Sequence, residues 1–431
     1  MLKEFSFDYG NGKATTMLPE ERIINIVEGK PVAPIADVDA AIQEALMNPI
    51  GTLPLDQVVQ PGDKVMIIGS DITRKWIRHD LFLPPLLNAL NKAGIPDTDI
   101  SLIVALGAHR AHTAEDNLLT FGQEVINRIT ILQSQATQSD QFVSVGKTSD
   151  GINVCLNQHV VNADKVILTG GIVHHLMAGF GGGRKSIMPG VSSYETIQAN
   201  HRHCLHQEVG KGVNPECLAG KLEKNPMHEN MLEMLELLKP AFLLNAVLTP
   251  DGQFARFVAG HWHDAWLDGC KTAQDIFGVP ISGKADLVIA SAGGFPKDIN
   301  LYQGFKSIGN TFSAAKPDGV IILLLECREI MDPPDFSDWF NYESCYEQEV
   351  ALRKAFTVPG FIALKLVSMA SEIPHIIVTL PQNKEFIEKT GMIAATSLEE
   401  AIKIAEEKLG RKDYTITLMP HAANTVPIER V

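Results

Sequence analysis

Short aliphatic runs recur along the chain at KVMIIG (64–69), SLIVAL (101–106), KVILTG (165–170), ADLVIA (285–290), GVIILLL (319–325) and HIIVTL (375–380). Runs without polar alternation are expected to bury both faces, and the helix-compatible stretches between them predict parallel sheets covered by helices. Two segments depart from this pattern. FSFDYGNGKATTML alternates apolar and polar residues about Gly10-Asn11-Gly12, which tolerate the positive φ of a hairpin turn. AFLLNAVLTPDGQFARFVAG (241–260) predicts two strands about the turn Pro250-Asp251-Gly252. Near the C-terminus, Ser397 and Glu400 have capping-box spacing and Gly410 supplies a stop, so a helix is expected there, followed by the strand YTITLMP.

At 431 residues the chain exceeds the size of a single hydrophobic core. The expected fold class is α/β in two domains, each with a mainly parallel sheet flanked by helices. The predicted boundaries are 1–268 for an N-terminal domain, 269–284 for a hinge helix and linker, and 285–411 for a C-terminal domain. Residues 412–431 are a candidate strand for return to the first domain.

Composition narrows the function. A formal net charge of −14 and no basic stripe speak against nucleic acid as a partner. No apolar run is long enough to span a bilayer, and MLKEFSFDYG lacks the features of a signal peptide, so no membrane partner and a cytoplasmic location are expected. Six scattered cysteines without a Cys-x-x-Cys pair suggest reduced thiols rather than a zinc knuckle or disulfide framework.

Open parallel sheets bind ligands beyond the carboxyl ends of their strands. Asp71-Ile72-Thr73-Arg74 follows the first run, Gly107-Ala108-His109-Arg110 the second, Gly171 to His175 the third and Ser291 to Gly294 the fourth. The richest segment runs from His174 to Ser186, with Gly179, Gly181, Gly182 and Gly183 ahead of Arg184 and Lys185. Its glycines allow backbone N–H groups to approach a phosphate, but Arg184 stands where a Walker A loop requires glycine. Histidines cluster at His109 and His112, at His174 and His175, and at His201, His203 and His206, in reach of metal binding or proton transfer. Adjacent His174 and His175 point apart, so one of them is expected to face a site. Gln303 and Lys306, at i and i+3, put an amide and an ammonium on one helix face, suited to a carboxylate or hydroxyl.

Taken together, Asp71 to Arg74, Gly107 to Arg110, His175-(x)3-Gly179 through Ser186 to Pro189-Gly190, Ser193 to His201, and Tyr302-Gln303-(x)2-Lys306 resemble the lactate racemase family. The resemblance implies a 2-hydroxy-acid racemase or epimerase with its active site in an interdomain cleft. It implies nickel and a nickel-pincer nucleotide, a pyridinium-derived mononucleotide with sulfur ligands, covalently linked to Lys185, and cofactor-synthesis proteins as partners in the cell. By this resemblance His201 is the metal ligand and His109 and His175 are the acid/base pair. Arg74, Gln303, Lys306 and Tyr302 contact or orient the substrate. Asp71, Thr73, Gly181, Gly182, Gly183, Arg184 and Ser186 support the cofactor. Hydride transfer to and from such a group, through a bound 2-keto acid, avoids removing a very weakly acidic Cα–H as a proton. Two departures bear on the choice of 2-hydroxy acid: Glu326 to Pro334 replaces an expected Gly- and His-rich loop, and Phe361 stands where a tryptophan is expected. The alternatives are a zinc-dependent hydrolase, using His174 or His175 with His201 and a carboxylate, and a non-catalytic nucleotide- or phosphate-binding protein.

Overall fold

The computed structural model describes residues 1–429. Its chain divides into two compact units that are interleaved in sequence: residues 31–204 with 215–276, called here the N-terminal unit, and residues 1–30 with 205–214 and everything from 277, called the C-terminal unit.

The N-terminal unit is built on a six-stranded sheet in the order Phe254–Gly260, Phe242–Leu248, Lys165–Gly171, Val65–Ser70, Ile100–Ala105, Thr130–Ser134. All neighbours are parallel except the outer pair Phe242–Leu248 and Phe254–Gly260, the two strands expected about Pro250. Ile67, Leu102, Ile167 and Leu244 from the sheet meet Phe82, Leu86 and Leu90 of helix His79–Lys92 in one apolar core. Burying such strands on both faces is the main stabilising term, about 25 cal/mol per Å² of apolar surface removed from water.

In the C-terminal unit a second six-stranded sheet is parallel throughout, ordered Ile393–Ala395, His375–Val378, Ala315–Leu324, Ala285–Ser291, Ile416–Met419, Ile23–Ile26. This arrangement differs from the predicted boundaries at both chain ends. The first 30 residues belong with the C-terminal unit because Ile23–Ile26 pairs with Ile416–Met419, while the hairpin Leu2–Tyr9 and Gly12–Pro19 lends Phe7 and Leu18 to the same core. The last strands are likewise internal to this unit, Ile416–Met419 beside Ala285–Ser291 and Val426–Glu429 beside Gly278–Ile281. Helix Asp264–Phe277 closes the N-terminal unit, and the division falls between Ile276 and Phe277. Among the described residues no helix is long and apolar enough to cross a membrane.

Candidate active site

Three loops leave neighbouring strands of the N-terminal sheet at their carboxyl ends, and most of the expected site residues lie on them. After Val65–Ser70, Asp71 is buried and acts as a hub: Thr73 Oγ1 donates to its Oδ1 at 2.6 Å, and His109 Nδ1 lies 2.6 Å from its Oδ2. Burial alone would raise the Asp71 carboxyl, but the hydrogen bond and charge of His109, with Thr73 and Arg74, outweigh it and hold the group below its ordinary range. An ionised Asp71 can only accept, so His109 donates from Nδ1, and the neutral ring has its lone pair on Nε2. His112 braces the same turn, accepting the Ile72 N–H at Nε2 (2.7 Å) and donating from Nδ1 to Asn117 Oδ1 (2.9 Å), which makes it structural. Arg110 is also used locally, in a two-bond pair with Asp116 at 2.6 and 3.0 Å. Arg74 itself is exposed and donates to Thr73 Oγ1 at 3.1 Å.

The loop after Lys165–Gly171 turns back as a two-residue pairing of His174–His175 with Gly179–Phe180. The adjacent histidines diverge, as expected. His174 Nε2 meets Gln274 Oε1 at 2.8 Å, whereas His175 Nδ1 accepts the N–H groups of Met177 (3.3 Å) and Ala178 (3.2 Å) and so carries its proton on Nε2. Burial holds the His175 imidazole well below its ordinary pKa, and the charges of Lys185, Arg74, Arg184 and His201 add to that.

Lys185 sits on a short turn, Gly183–Ser186, that only a glycine loop can form. Gly182 and Gly183 have φ of +67° and +48°, and a Cβ on Gly183 would lie 2.5 Å from Trp266 Cδ1. Asn245 Oδ1 accepts the Gly183 N–H at 2.8 Å, and Trp266 Nε1 donates to Gly181 O at 2.9 Å. Arg184 and Ser186, expected to touch a cofactor, turn their side chains into the fold. Arg184 is buried with its guanidinium 4.1 Å from the Trp266 ring centre, donating to the carbonyls of Phe180 and Ala178, and Ser186 Oγ donates to Thr169 O at 3.0 Å. Lys185 is partly accessible but surrounded by protein; burial, then the charges of Arg184 and Arg74, lower its amine to about 7. A large fraction of this lysine is therefore neutral and nucleophilic near neutral pH.

His201 ends helix Tyr194–His201, whose first turn Ser193 caps by accepting the Thr196 N–H. Its Nδ1 donates to Ile197 O at 2.9 Å, so the neutral ring has its lone pair on Nε2, the form that binds metal. Burial, followed by the charge of Lys185, lowers this imidazole to about 3. The mutual effects of Arg74, His175, Lys185 and His201 mark one electrostatic neighbourhood, and the Gly107 N–H to Gly190 O bond (3.0 Å) ties the His109 loop to the Lys185 loop. His203 Nε2 approaches Asp150 Oδ2 at 3.0 Å, and His206 is part of the C-terminal unit.

In the C-terminal unit Gln303 and Lys306 are both exposed on helix Leu301–Ala314, which Asn300 caps by accepting the Gln303 N–H at 2.8 Å. Tyr302 is half-buried with its ring 5.4 Å from that of Phe336. Phe361 is a core residue, only 1% exposed. Glu326 pairs with Arg328 at 2.5 Å in the loop that differs from the expected one. Among the described residues no three His, Cys, Asp or Glu side chains are grouped to hold a metal, and a zinc hydrolase would need three such protein ligands.

Two residues the sequence reading missed, Asn245 and Trp266, hold the glycine loop. A polar residue inside the apolar run AFLLNAVL was the available signal, because a buried amide must find a partner.

Comparison with known proteins gives concordant results. Family models described as "Lactate racemase N-terminal domain" and "Lactate racemase C-terminal domain" match residues 9–212 and 281–426. The chain is 32% identical over 438 residues to a lactate racemase of Thermoanaerobacterium thermosaccharolyticum, with all of both chains covered. It is 29% identical to a lactate racemase of Lactiplantibacillus plantarum, covering 89% of this chain and 90% of that one. The structure of the lactate racemase apoprotein from Thermoanaerobacterium thermosaccharolyticum aligns over the whole of both chains with a TM-score of 0.86 and 30% identity. A Thermotoga maritima protein shares the fold, with a TM-score of 0.63 and 15% identity over 93% of this chain and all of that one.

Proposed function

Since this chain belongs to the lactate racemase family and is an isomerase, we propose that it inverts C2 of a small 2-hydroxy acid, lactate or a relative, with a nickel-pincer nucleotide linked to Lys185. The observation that carries this reading is the pairing of a desolvated lysine amine, lowered to about 7, with the neutral His201 ring, whose lone pair is on Nε2, beside the glycine loop that holds the lysine.

The residues present fit the group. Lys185 offers an amine able to bond covalently and His201 offers one borderline nitrogen ligand, so these two residues would hold it. When bound, the nucleotide supplies the acceptor and donor for the hydride at C2. The chain's own residues then handle the proton and the charge. His109 takes the hydroxyl proton at Nε2, and Asp71, bonded to Nδ1, stabilises the imidazolium that results. His175 donates an Nε2–H hydrogen bond to the substrate oxygen in its present tautomer, and serves as the second base only after its single proton has moved to Nδ1, which frees the Nε2 lone pair. Arg74 would pair with the substrate carboxylate, and the resemblance gives Gln303, Tyr302 and Lys306 of the C-terminal unit substrate-contacting roles as well. After the keto acid has turned over, return of the hydride to the opposite face of C2, with reprotonation of the oxygen by the protonated histidine, would give the other enantiomer.

Intact-mass spectrometry of protein co-produced with cofactor-synthesis proteins tests this directly. An adduct is expected on the wild type and not on Lys185→Ala, together with loss of lactate racemisation. An adduct on both proteins removes Lys185 from its role.

A further inference from the structure

The chain takes an unexpected path beyond the histidine proposed to bind nickel. Helix Tyr194–His201 is followed by a turn, Arg202–Cys204, and the next ten residues, Leu205–Asn214, belong to the C-terminal unit before the chain resumes the N-terminal unit at Pro215. This excursion is a closed loop: Leu205 and Val213 form an antiparallel bridge, and the His206 N–H donates to Gly212 O at 2.9 Å.

The loop is fastened within its own unit to helix Cys345–Lys354. Glu349 is 1% exposed and accepts the Gly210 N–H on both oxygens (3.0 and 3.1 Å) and the Gly212 N–H on Oε2 (2.7 Å). Gly210 and Gly212 have φ of +92° and +71°, which lets nearby N–H groups converge on one anion. Arg353, one turn along the helix, donates to Glu349 at 2.6 and 2.8 Å and to His206 O at 2.5 Å. A buried carboxylate that lost these donors would be strongly destabilised, so the docked geometry is specific.

Only four peptide steps separate His201 from Leu205, a reach of at most about 14 Å. Cys204 and Leu205 at this junction are buried, so displacement of the loop is passed into packed side chains rather than absorbed by slack.

We propose that Leu205–Asn214 is a docked tether and Glu349 a positioning residue, through which the C-terminal unit controls the order of the helix that ends in His201. The consequence for the metal rests on His201 being its ligand; the mechanical link does not.

Hydrogen–deuterium exchange on the full-length apoprotein separates these claims. Glu349→Gln is expected to speed exchange in 205–214 about tenfold and in 194–204 severalfold, leaving helices 226–238 and 358–372 unchanged. Glu349→Asp, which keeps the charge but shortens the reach, should fall between wild type and Glu349→Gln, keeping the test sound if the amide variant unfolds. Faster exchange in 205–214 with 194–204 unaffected overturns the coupling, and no change in 205–214 overturns the fastening. In cofactor-loaded protein, Glu349→Gln should lose nickel to EDTA faster than wild type. Wild-type protein that never retains nickel would instead overturn the metal assignment and leave the exchange result standing.

Discussion

The two histidines expected to exchange protons with substrate are held in opposite tautomers, and the cause is a single partner in each case. His109 donates its Nδ1 proton to Asp71, while His175 receives backbone N–H groups at Nδ1. Reversing one tautomer should therefore disable one half of the pair. In Asp71→Asn the amide can offer His109 a donor instead of an acceptor, moving the imidazole proton to Nε2. We expect kcat for racemisation to fall by about 10²–10⁴-fold with a smaller change in KM, measured by steady-state kinetics in both directions. A loss confined to KM would instead place Asp71 in substrate binding. The folded-state Asp71 carboxyl lies below its unfolded value, so its stabilising contribution is present above the ordinary carboxylate range and is lost as pH falls through the folded pKa. Asp71→Asn should thus lower Tm modestly at pH 7 and not at all in strong acid. That His109 and His175 were worth attention was legible from their places after strand-like runs. Their tautomers were not, because the deciding partners are a carboxylate 38 positions away and two N–H groups in a turn whose shape the residue types alone leave open.

At the scale of elements, the glycine loop carries the arrangement because its neighbours leave no room for a side chain. A Cβ on Gly183 would press into Trp266, and one on Gly182 would lie 2.7 Å from Asn245 Oδ1, in each case at positive φ. Gly183→Ala is expected to cost about 1–3 kcal/mol from overpacking, with a further penalty of about 1 kcal/mol for the left-handed backbone. Urea midpoints would show the first effect, and intact mass after cofactor loading would show a reduced adduct at Lys185. A stable variant that loads normally would mean the loop has slack that its hydrogen bonds do not suggest. The loop's importance was legible from its composition, and so were the long strands, whose unbroken apolar runs admit few other readings. Short strands were harder to read. Ile23–Ile26 alternates half-buried and exposed positions and becomes an edge strand only through pairing with Ile416–Met419, almost 400 residues away. The helix Leu398–Leu409 begins and ends as expected, yet Glu400 bonds Thr396 rather than completing a capping box with Ser397.

For the whole molecule, local patterning suggested consecutive domains, whereas long-range strand pairing made interleaved ones: both chain ends complete the C-terminal sheet, and a ten-residue excursion joins that unit from the middle. The two units also differ in how they store neutral imidazole. The N-terminal unit buries His79, His201 and His228, each lowered to about 3, with burial the leading cause. Their folded pKa values lie below the ordinary value near 6.5, so the unfolded unit binds more protons between about pH 6.5 and 3, and stability must fall as pH falls through that window. The C-terminal unit has His375, lowered to about 4, and Asp286, which burial would raise but which Thr415 and Lys316 hold below the carboxylate range. Asp286 contributes stability above its unfolded pKa and gives it up only in stronger acid. Acidification should therefore open the N-terminal unit first. Tryptophans divide conveniently to report this, since Trp76, Trp262 and Trp266 lie in the N-terminal unit and Trp339 in the other. In a Trp339→Phe protein the emission of buried Trp262 and Trp266 should shift to the red between pH 6 and 4. A protein retaining only Trp339 should respond at lower pH. The opposite order would show that the neutral histidines are not what limits acid stability, and that C-terminal carboxylates such as Asp286 set it instead.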